Sequence, residues 1–377
     1  MTLPEIDSDA VLRTFLSLAR LDSPSGAEGP VRDYLAQRLD ALGVCHRTDA
    51  TGNLIAEIPP SRCPHPVVLV VCAHMDVVPP CLGVQPQVCG EGDARWIQSD
   101  GTTVLGADDK AALAPILEAL ECSLACAAPR PAVRLIFTVE EETHLKGARQ
   151  LDDDALRAGF AITFDHTGPP GTLIQRAPFL TTFEITVRGR AAHAGIAPEE
   201  GLNAIVLAAR VVTRLRQGRL EGETTANIGR IEGGKATNIV PDCVLISGEI
   251  RSYRPEAIQD ELDCIERVLR EETASMPGTS FLLTRERAFD GYAHAPDSPA
   301  IQRLTHIIES QGLTPAVIAS HGGSDNNVFM TRGLAGVVLS AAMEAPHTVN
   351  ERAHLTDMMQ TARLLLAIWE DFAREPF

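Results

Sequence analysis

Five stretches of the chain set metal-ligating residue types beside apolar runs. His74 and Asp76 follow the run 67–72 almost directly, and Asp108 and Asp109 open a helical pattern at 110–127. Glu140, Glu141 and Glu142 end the apolar segment 133–139, Asp165 ends the segment 160–164, and His347 comes shortly after 337–340. Imidazole nitrogens and carboxylate oxygens without cysteine suit zinc, cobalt or manganese at a catalytic site, whereas structural zinc favours thiolates. Taken singly, each stretch also has a plainer reading. His74-Met-Asp76 can be a polar turn, the paired Asp residues can cap a helix, and the acidic triplet can be an exposed strand end. In open α/β sheets, however, ligands gather at the carboxyl ends of strands, which is where all five stretches fall. His74, Asp108, the Glu run, Asp165 and His347 exceed the needs of one tetrahedral ion. Two ions about 3.5–4 Å apart, sharing one carboxylate, would use them all and leave room for a water.

The elements that must position these residues alternate. Helical periodicity covers 7–20, 28–42 and 110–127, and strand patterns cover 54–58, 67–72, 133–139 and 160–164, as in an α/β sheet. After Pro178 the order becomes strand 180–188, helix 202–217, strands 226–231 and 244–251, helix 257–274 and strand 281–287. That is the βαββαβ order of a ferredoxin-like α+β domain. Alternation resumes at 300–309, 316–319, 326–332, 337–340 and 355–373. The expected organisation is an α/β catalytic domain, 1–177 and 289–377, interrupted by an inserted domain at 178–288.

A chain of 377 residues suits two domains and a large core. Its net charge of −17 disfavours nucleic acid and anionic membrane as partners. Nine cysteines without a CxxC pattern read as reduced thiols in a cytoplasmic protein. The N-terminal twenty residues read as an amphipathic helix rather than a signal peptide, and no window approaches 18 apolar residues. There is no GxxxxGK[ST], GxGxxG or GxSxG, so nucleotide-binding and serine-hydrolase readings lack support.

The segments AHMDVVP, GADDKAA, TVEEETHLKGA, GRAAHAGIAPEEGLNAI, GKATNIVPD, GGSDNNVF and PHTVNE together resemble a known family. It is the dizinc metallopeptidase family of peptidase T, carboxypeptidase G and succinyl-diaminopimelate desuccinylase, and GADDKA and AAHAG with NAI are most similar to its peptidase T-like branch. The resemblance implies a zinc-exopeptidase-like catalytic domain, with a mixed sheet and flanking helices, plus an inserted lid and dimerisation domain. It implies that His74 and His347 each bind one ion, that Asp108 bridges, and that Glu142 and Asp165 complete one ion each. Asp76 resembles the carboxylate that supports His74, and Glu141 resembles the general base. Counting back from Gly147 and Ala148 makes Glu141 and Glu142 the family's glutamate pair and leaves Glu140 as an extra. His144 stands where the family usually has Gly. His193 resembles a residue that reaches a partner subunit's active site and steadies the oxyanion, which implies a homodimer. Asn238, Arg251 and Asp325 resemble residues at the substrate.

The expected activity is hydrolysis of short peptides by a dizinc exopeptidase of the tripeptide aminopeptidase type, with cobalt or manganese as alternative metals. A carboxypeptidase or N-acyl-amino-acid amidohydrolase would use the same site. A catalytically silent, metal-dependent binding protein would be marked by a lost ligand or base, and none is lost.

Overall fold

Aliphatic and β-branched runs form the strands on which the candidate ligands sit. In the computed structural model, which describes residues 5–377, the chain divides into two compact units. Met1–Pro4, the start of the stretch read as an amphipathic helix, lie outside the described residues. The first unit comprises the chain up to Arg176 with Ala293–Ser320 and Ser324–Phe377; the second comprises Ala177–Tyr292 with His321–Gly323.

The first unit opens with α1 (Ser8–Ala19), α2 (Gly29–Ala41), β1 (Cys45–Thr48), β2 (Leu54–Ile58), β3 (Val68–His74), β4 (Gln87–Cys89) and β5 (Trp96–Gln98). It continues with α3 (Ala107–Ala125), β6 (Ala132–Thr138), α4 (Lys146–Arg149), β7 (Phe160–Phe164) and β8 (Thr172–Ala177). The second unit carries β9 (Phe179–Arg188), α5 (Ala204–Arg214), β10 (Gly218–Arg219), β11 (Thr225–Gly233), β12 (Cys243–Ser252), α6 (Pro255–Ser275) and β13 (Ser280–Phe289). From β14 (Tyr292–Ala293) the chain runs on through α7 (Pro299–Ser310), β15 (Ala316–Ala319), α8 (Asp325–Thr331), β16 (Gly336–Leu339), β17 (Met343–Glu344), β18 (Arg352–His354) and α9 (Leu355–Arg374).

The large sheet is mixed, in the order β1-β2-β6-β3-β7-β16-β8-β14, with β15 beside β8. Its centre, β6-β3-β7-β16, is parallel, and β3 and β7 are apolar along nearly their whole length because both faces are covered. Register sets His74 opposite Thr138 and Leu339 opposite Phe164, so four strands end together. On one side α3 packs against α1 and α9. The Ala- and Leu-rich middle of α3 is buried all round, as expected of a helix enclosed by others.

The second unit has the antiparallel order β10-β11-β12-β9-β13, the ferredoxin-like arrangement with one short added edge strand. Its own core joins Phe183, Ile185 and Val187 of β9 to Leu207, Val211, Leu262 and Ile265 of the two helices. This unit runs on through Tyr292, past the expected limit at 288, because β13 extends to Phe289.

A further sheet, β17-β18-β5-β4, was not expected from the sequence. Its strands are two or three residues long and show no alternation for a sequence pattern to register. Among the described residues, no helix is long and apolar enough to cross a membrane, and all nine cysteines are unpaired.

Leu135 lies fully buried in β6 between β2 and β3. Leu135→Ala is expected to cost about 2–5 kcal/mol in urea unfolding. The same change at exposed Leu82 should stay within about 0.5 kcal/mol.

Candidate active site

The parallel register gathers the candidate ligands at one end of the large sheet, within the first unit. His74 ends β3, Asp165 follows β7, Glu141 and Glu142 occupy the turn after β6, and His347 lies between β17 and β18. Asp108 sits where α3 begins, in backbone that is not yet helical (φ −81°, ψ 100°). Glycine is needed just before it. Gly106 has φ +76°, and a Cβ there would lie 3.0 Å from Val77.

The two oxygens of Asp108 face two different imidazoles. Oδ1 lies 3.0 Å from Nε2 of His74, and Oδ2 lies 3.2 Å from Nε2 of His347. Asp165 Oδ1 is 3.9 Å from His74 Nε2, and Glu142 Oε1 is 2.8 Å from His347 Nε2. Three groups of potential ligand atoms lie within 4.8 Å of one another: His74, Asp108 and Asp165; Asp108, Glu142 and His347; and His74, Glu141 and Glu142. The first two share Asp108.

These donors fit a divalent cation. His74 Nδ1 donates to the carbonyl of Asp76 at 3.0 Å, which fixes the ring with Nε2 aimed at the Asp108 oxygen, the atom that becomes a ligand once its proton is given up to a metal. Glu142 Oε1 is buried and accepts no well-formed hydrogen bond, although His347 Nε2 is so close. Without a metal the imidazoles carry the protons, since Asp108 and Glu142 push His347 up to about 10 and, against its burial, Asp108 and Asp76 hold His74 well above the usual imidazole range; a divalent ion would take the place of those protons among the same donors. In the metal-free protein, burial pushes the Glu141 carboxyl well above the usual carboxylate range, and Asp325, Glu142 and Asp76 add to this against the opposing charge of His74. Burial likewise raises Asp165, with Glu141 and Asp108 adding repulsion. A cation would relieve the same repulsion that protons otherwise relieve.

The glutamate turn is held by groups distant in sequence. Asp76 accepts the backbone N–H of Glu141 at 2.9 Å and of Glu142 at 3.1 Å, with Ser25 Oγ donating at 2.7 Å. Its carboxylate also stands 3.5 Å from His74 Nδ1, whose ring its own carbonyl accepts from, and His74 is the largest influence holding the Asp76 carboxyl below its ordinary range against burial. Asn53 is fully buried; it donates to the Gly147 carbonyl at 3.0 Å and to Asp49 at 2.7 Å, and accepts the N–H of Val139 at 3.1 Å. A Cβ on Gly147 would meet the Val139 carbonyl oxygen at 2.2 Å. Glu140 turns away to pair with Lys146 at 2.6 Å, which separates it from Glu141 and Glu142. His144 takes φ +68°, a conformation that explains a glycine preference there. Glu351 ties the His347 loop to α3 by accepting the N–H of Gly106 at 2.6 Å and of Asp108 at 3.0 Å.

Asn53, Ser25 and Glu351 were not singled out in the sequence. TGN and PHTVNE look locally like turn segments, and only the folded chain reveals their long-range acceptors and donors. Three expected residues lie in the second unit. His193 is exposed and accepts the N–H of Gly195 at 3.2 Å, and the carbonyl of Asn238 accepts the N–H of Ala194 at 3.0 Å. Arg251 is held by Glu249 at 2.8 Å and by the carbonyl of His321 at 3.3 Å. Asp325 corrects an expectation. It was expected at the substrate, but it is 1% exposed, bonded to Thr138 and Cys72 inside the first unit, and burial pushes its carboxyl up to about 6.

Two family models match the chain: a peptidase dimerisation domain over residues 180–277, and peptidase family M28 over residues 53–193. The protein YqjE of Bacillus subtilis strain 168 is 32% identical over 377 residues, 98% of this chain and 100% of its own length. Aminopeptidase PepT from Bacillus cereus is 34% identical with a TM-score of 0.83, and a tripeptidase from Staphylococcus aureus is 33% identical with a TM-score of 0.88. Each of these two structures covers 98% of this chain and is itself covered in full. The chain belongs to the M20 peptidase family, in its peptidase T-like branch, and is a peptide hydrolase.

Asn53→Ala would leave the Val139 N–H and the Gly147 carbonyl buried without these partners. It is expected to lower stability by about 2–3 kcal/mol in urea unfolding. Turnover of a peptide substrate should fall about tenfold or more as the glutamate turn loosens.

Proposed function

We propose that this peptidase removes the N-terminal residue from tripeptides and other short peptides, with two divalent ions, zinc first, held in the cluster on the first unit. The observation that carries the reading is the carboxylate of Asp108 shared between His74 and His347, with Asp165 on one side and Glu142 on the other. His74, Asp108 and Asp165 would hold one ion; Asp108, Glu142 and His347 would hold the other. The substrate class follows the aminopeptidase and the tripeptidase to which the chain is similar.

Bound ions of this kind acidify an attacking water and polarise the scissile carbonyl. The residues of the chain do the remainder. Glu141 takes a proton from the water and returns it to the leaving amine. Its burial suits a carboxylate that must hold a proton between the two steps. Asp76 and Asn53 keep Glu141 in place through the backbone of its turn. His193, supplied by a second copy of the chain, donates to the carbonyl oxygen as charge develops there. The match to a peptidase dimerisation domain supports a homodimer formed through the second unit. Arg251 binds the carboxylate end of the peptide, exchanging its pairing with Glu249 for the substrate, and Asn238 contacts the peptide backbone. Nine unpaired cysteines suit a cytoplasmic location.

Elemental analysis of protein purified without chelator is expected to find about two zinc, cobalt or manganese ions per chain. In a substrate panel, tripeptides should be cleaved faster than N-acyl amino acids; the reverse order would make the chain an amidohydrolase. Glu141→Gln should retain its metal while kcat falls by about 10²–10⁴. Unchanged turnover in that variant would remove Glu141 from the role of base.

A further inference from the structure

Asp325 has no part in the reaction described above, yet its surroundings are unusual for a carboxylate. It is the first residue of α8 and is 1% exposed. Its Oδ2 accepts the hydroxyl of Thr138 at 2.5 Å and the thiol of Cys72 at 3.6 Å. Its Oδ1 is buried and has no hydrogen-bond partner among the described residues. Among those residues no lysine or arginine forms an ion pair with it.

The two donors locate the carboxylate relative to the metal cluster. Cys72 lies two residues before His74 on β3, so both side chains leave the same face of the strand. Thr138 is opposite His74 in the register and three residues before Glu141. The carboxylate of Asp325 therefore lies on the same face of the sheet as the His74 imidazole, bonded to side chains two residues before His74 on β3 and opposite it on β6. Buried charges are normally paired or close to a metal, since an isolated ion in a protein interior is costly. The opposing charge beside it is the imidazole of His74. Asp325 belongs to none of the three groups of converging ligand atoms, so from this position its charge could act on ions at the strand ends without ligating them.

We propose that Asp325 is an outer anion of the metal centre: its charge stabilises the ions held by His74, Asp108 and Asp165, although it contacts neither them nor the substrate. The proposal rests on the metal-site reading above. The apo protein tolerates a poorly compensated buried charge, and the bound ions are what compensate it.

Charge and hydrogen bonding are separable by mutation. Asp325→Asn keeps the shape and an acceptor for Thr138 but removes the charge. Thr138→Ala removes a hydrogen bond and keeps the charge. The full-length protein is stripped of metal, and zinc affinity is measured at pH 8 by competition with a chromogenic chelator. The expected result is a loss of about tenfold to a hundredfold in Asp325→Asn, and less than about threefold in Thr138→Ala. Urea unfolding gives a second readout. Metal-free Asp325→Asn should be at least as stable as the metal-free parent, because an uncompensated charge has gone, and should gain less stability on adding zinc. The proposal is overturned if Asp325→Asn binds zinc as tightly as the parent, if Thr138→Ala loses as much affinity, or if metal-free Asp325→Asn is destabilised or fails to fold. A parent protein that takes up no divalent ion would overturn the metal-site reading itself, and this proposal with it.

Discussion

The carboxylate of Asp108, with one oxygen towards His74 and the other towards His347, is the constraint on which the rest of the molecule depends. To share one carboxylate, two histidines more than 270 residues apart in sequence must reach it from opposite sides. Around it Asp76, Asp109, Glu141 and Asp325 are buried as well, so one end of the sheet concentrates negative charge that water cannot screen. Such a cluster is unfavourable by itself. It becomes favourable only with cations or protons among the oxygens, which is why the same geometry that strains the metal-free protein suits a metal-dependent peptidase.

The sheet supplies the platform and the connections supply the precision. Four parallel strands ending together bring the loops to one edge, but a loop so placed still has several conformations. The glutamate turn is fixed by accepting and donating groups on three other segments: Asp76 after β3, Asn53 before β2, and Glu28 before α2, whose carboxylate takes the N–H of Glu140 at 3.0 Å. The start of α3 is fixed by Glu351, 243 residues away from Asp108 in sequence. Each is a carboxylate or amide holding backbone N–H groups, an interaction that is strong when buried and sensitive to position. Precision at the site thus comes from polar side chains that never need to meet a substrate.

The two units divide the work by chemistry. The first has a large apolar core and carries every candidate metal ligand. The second has its own core and a ferredoxin-like sheet, and carries His193, Asn238 and Arg251, for which roles at the peptide are proposed. Matching of its residues 180–277 to a peptidase dimerisation domain agrees with that division, since an independently folded unit can serve assembly without disturbing the sheet that holds the cluster.

The sequence by itself determined the alternation of strand and helix, the change to βαββαβ order after Pro178, and the residue types at the strand ends. These follow from local periodicity and from short runs of neighbouring residues, which is the information a linear chain displays. The count back from Gly147, made against the family's pattern, set Glu140 apart from Glu141 and Glu142, and in the fold Glu140 pairs with Lys146. Only the tertiary structure decided what surrounds them. It showed that the Asp76 carboxylate holds the glutamate turn as well as facing the His74 ring, that Asn53 and Glu351 hold the loops, and that short segments around residues 87, 97, 343 and 353 pair into a sheet. It also moved Asp325 from the substrate to the interior, because the start of α8 presents it to Thr138 and Cys72. Contacts across 187 and 253 residues leave no local pattern. They exist only once packing has brought the partners together, and burial then decides whether a carboxylate faces a ligand or the core.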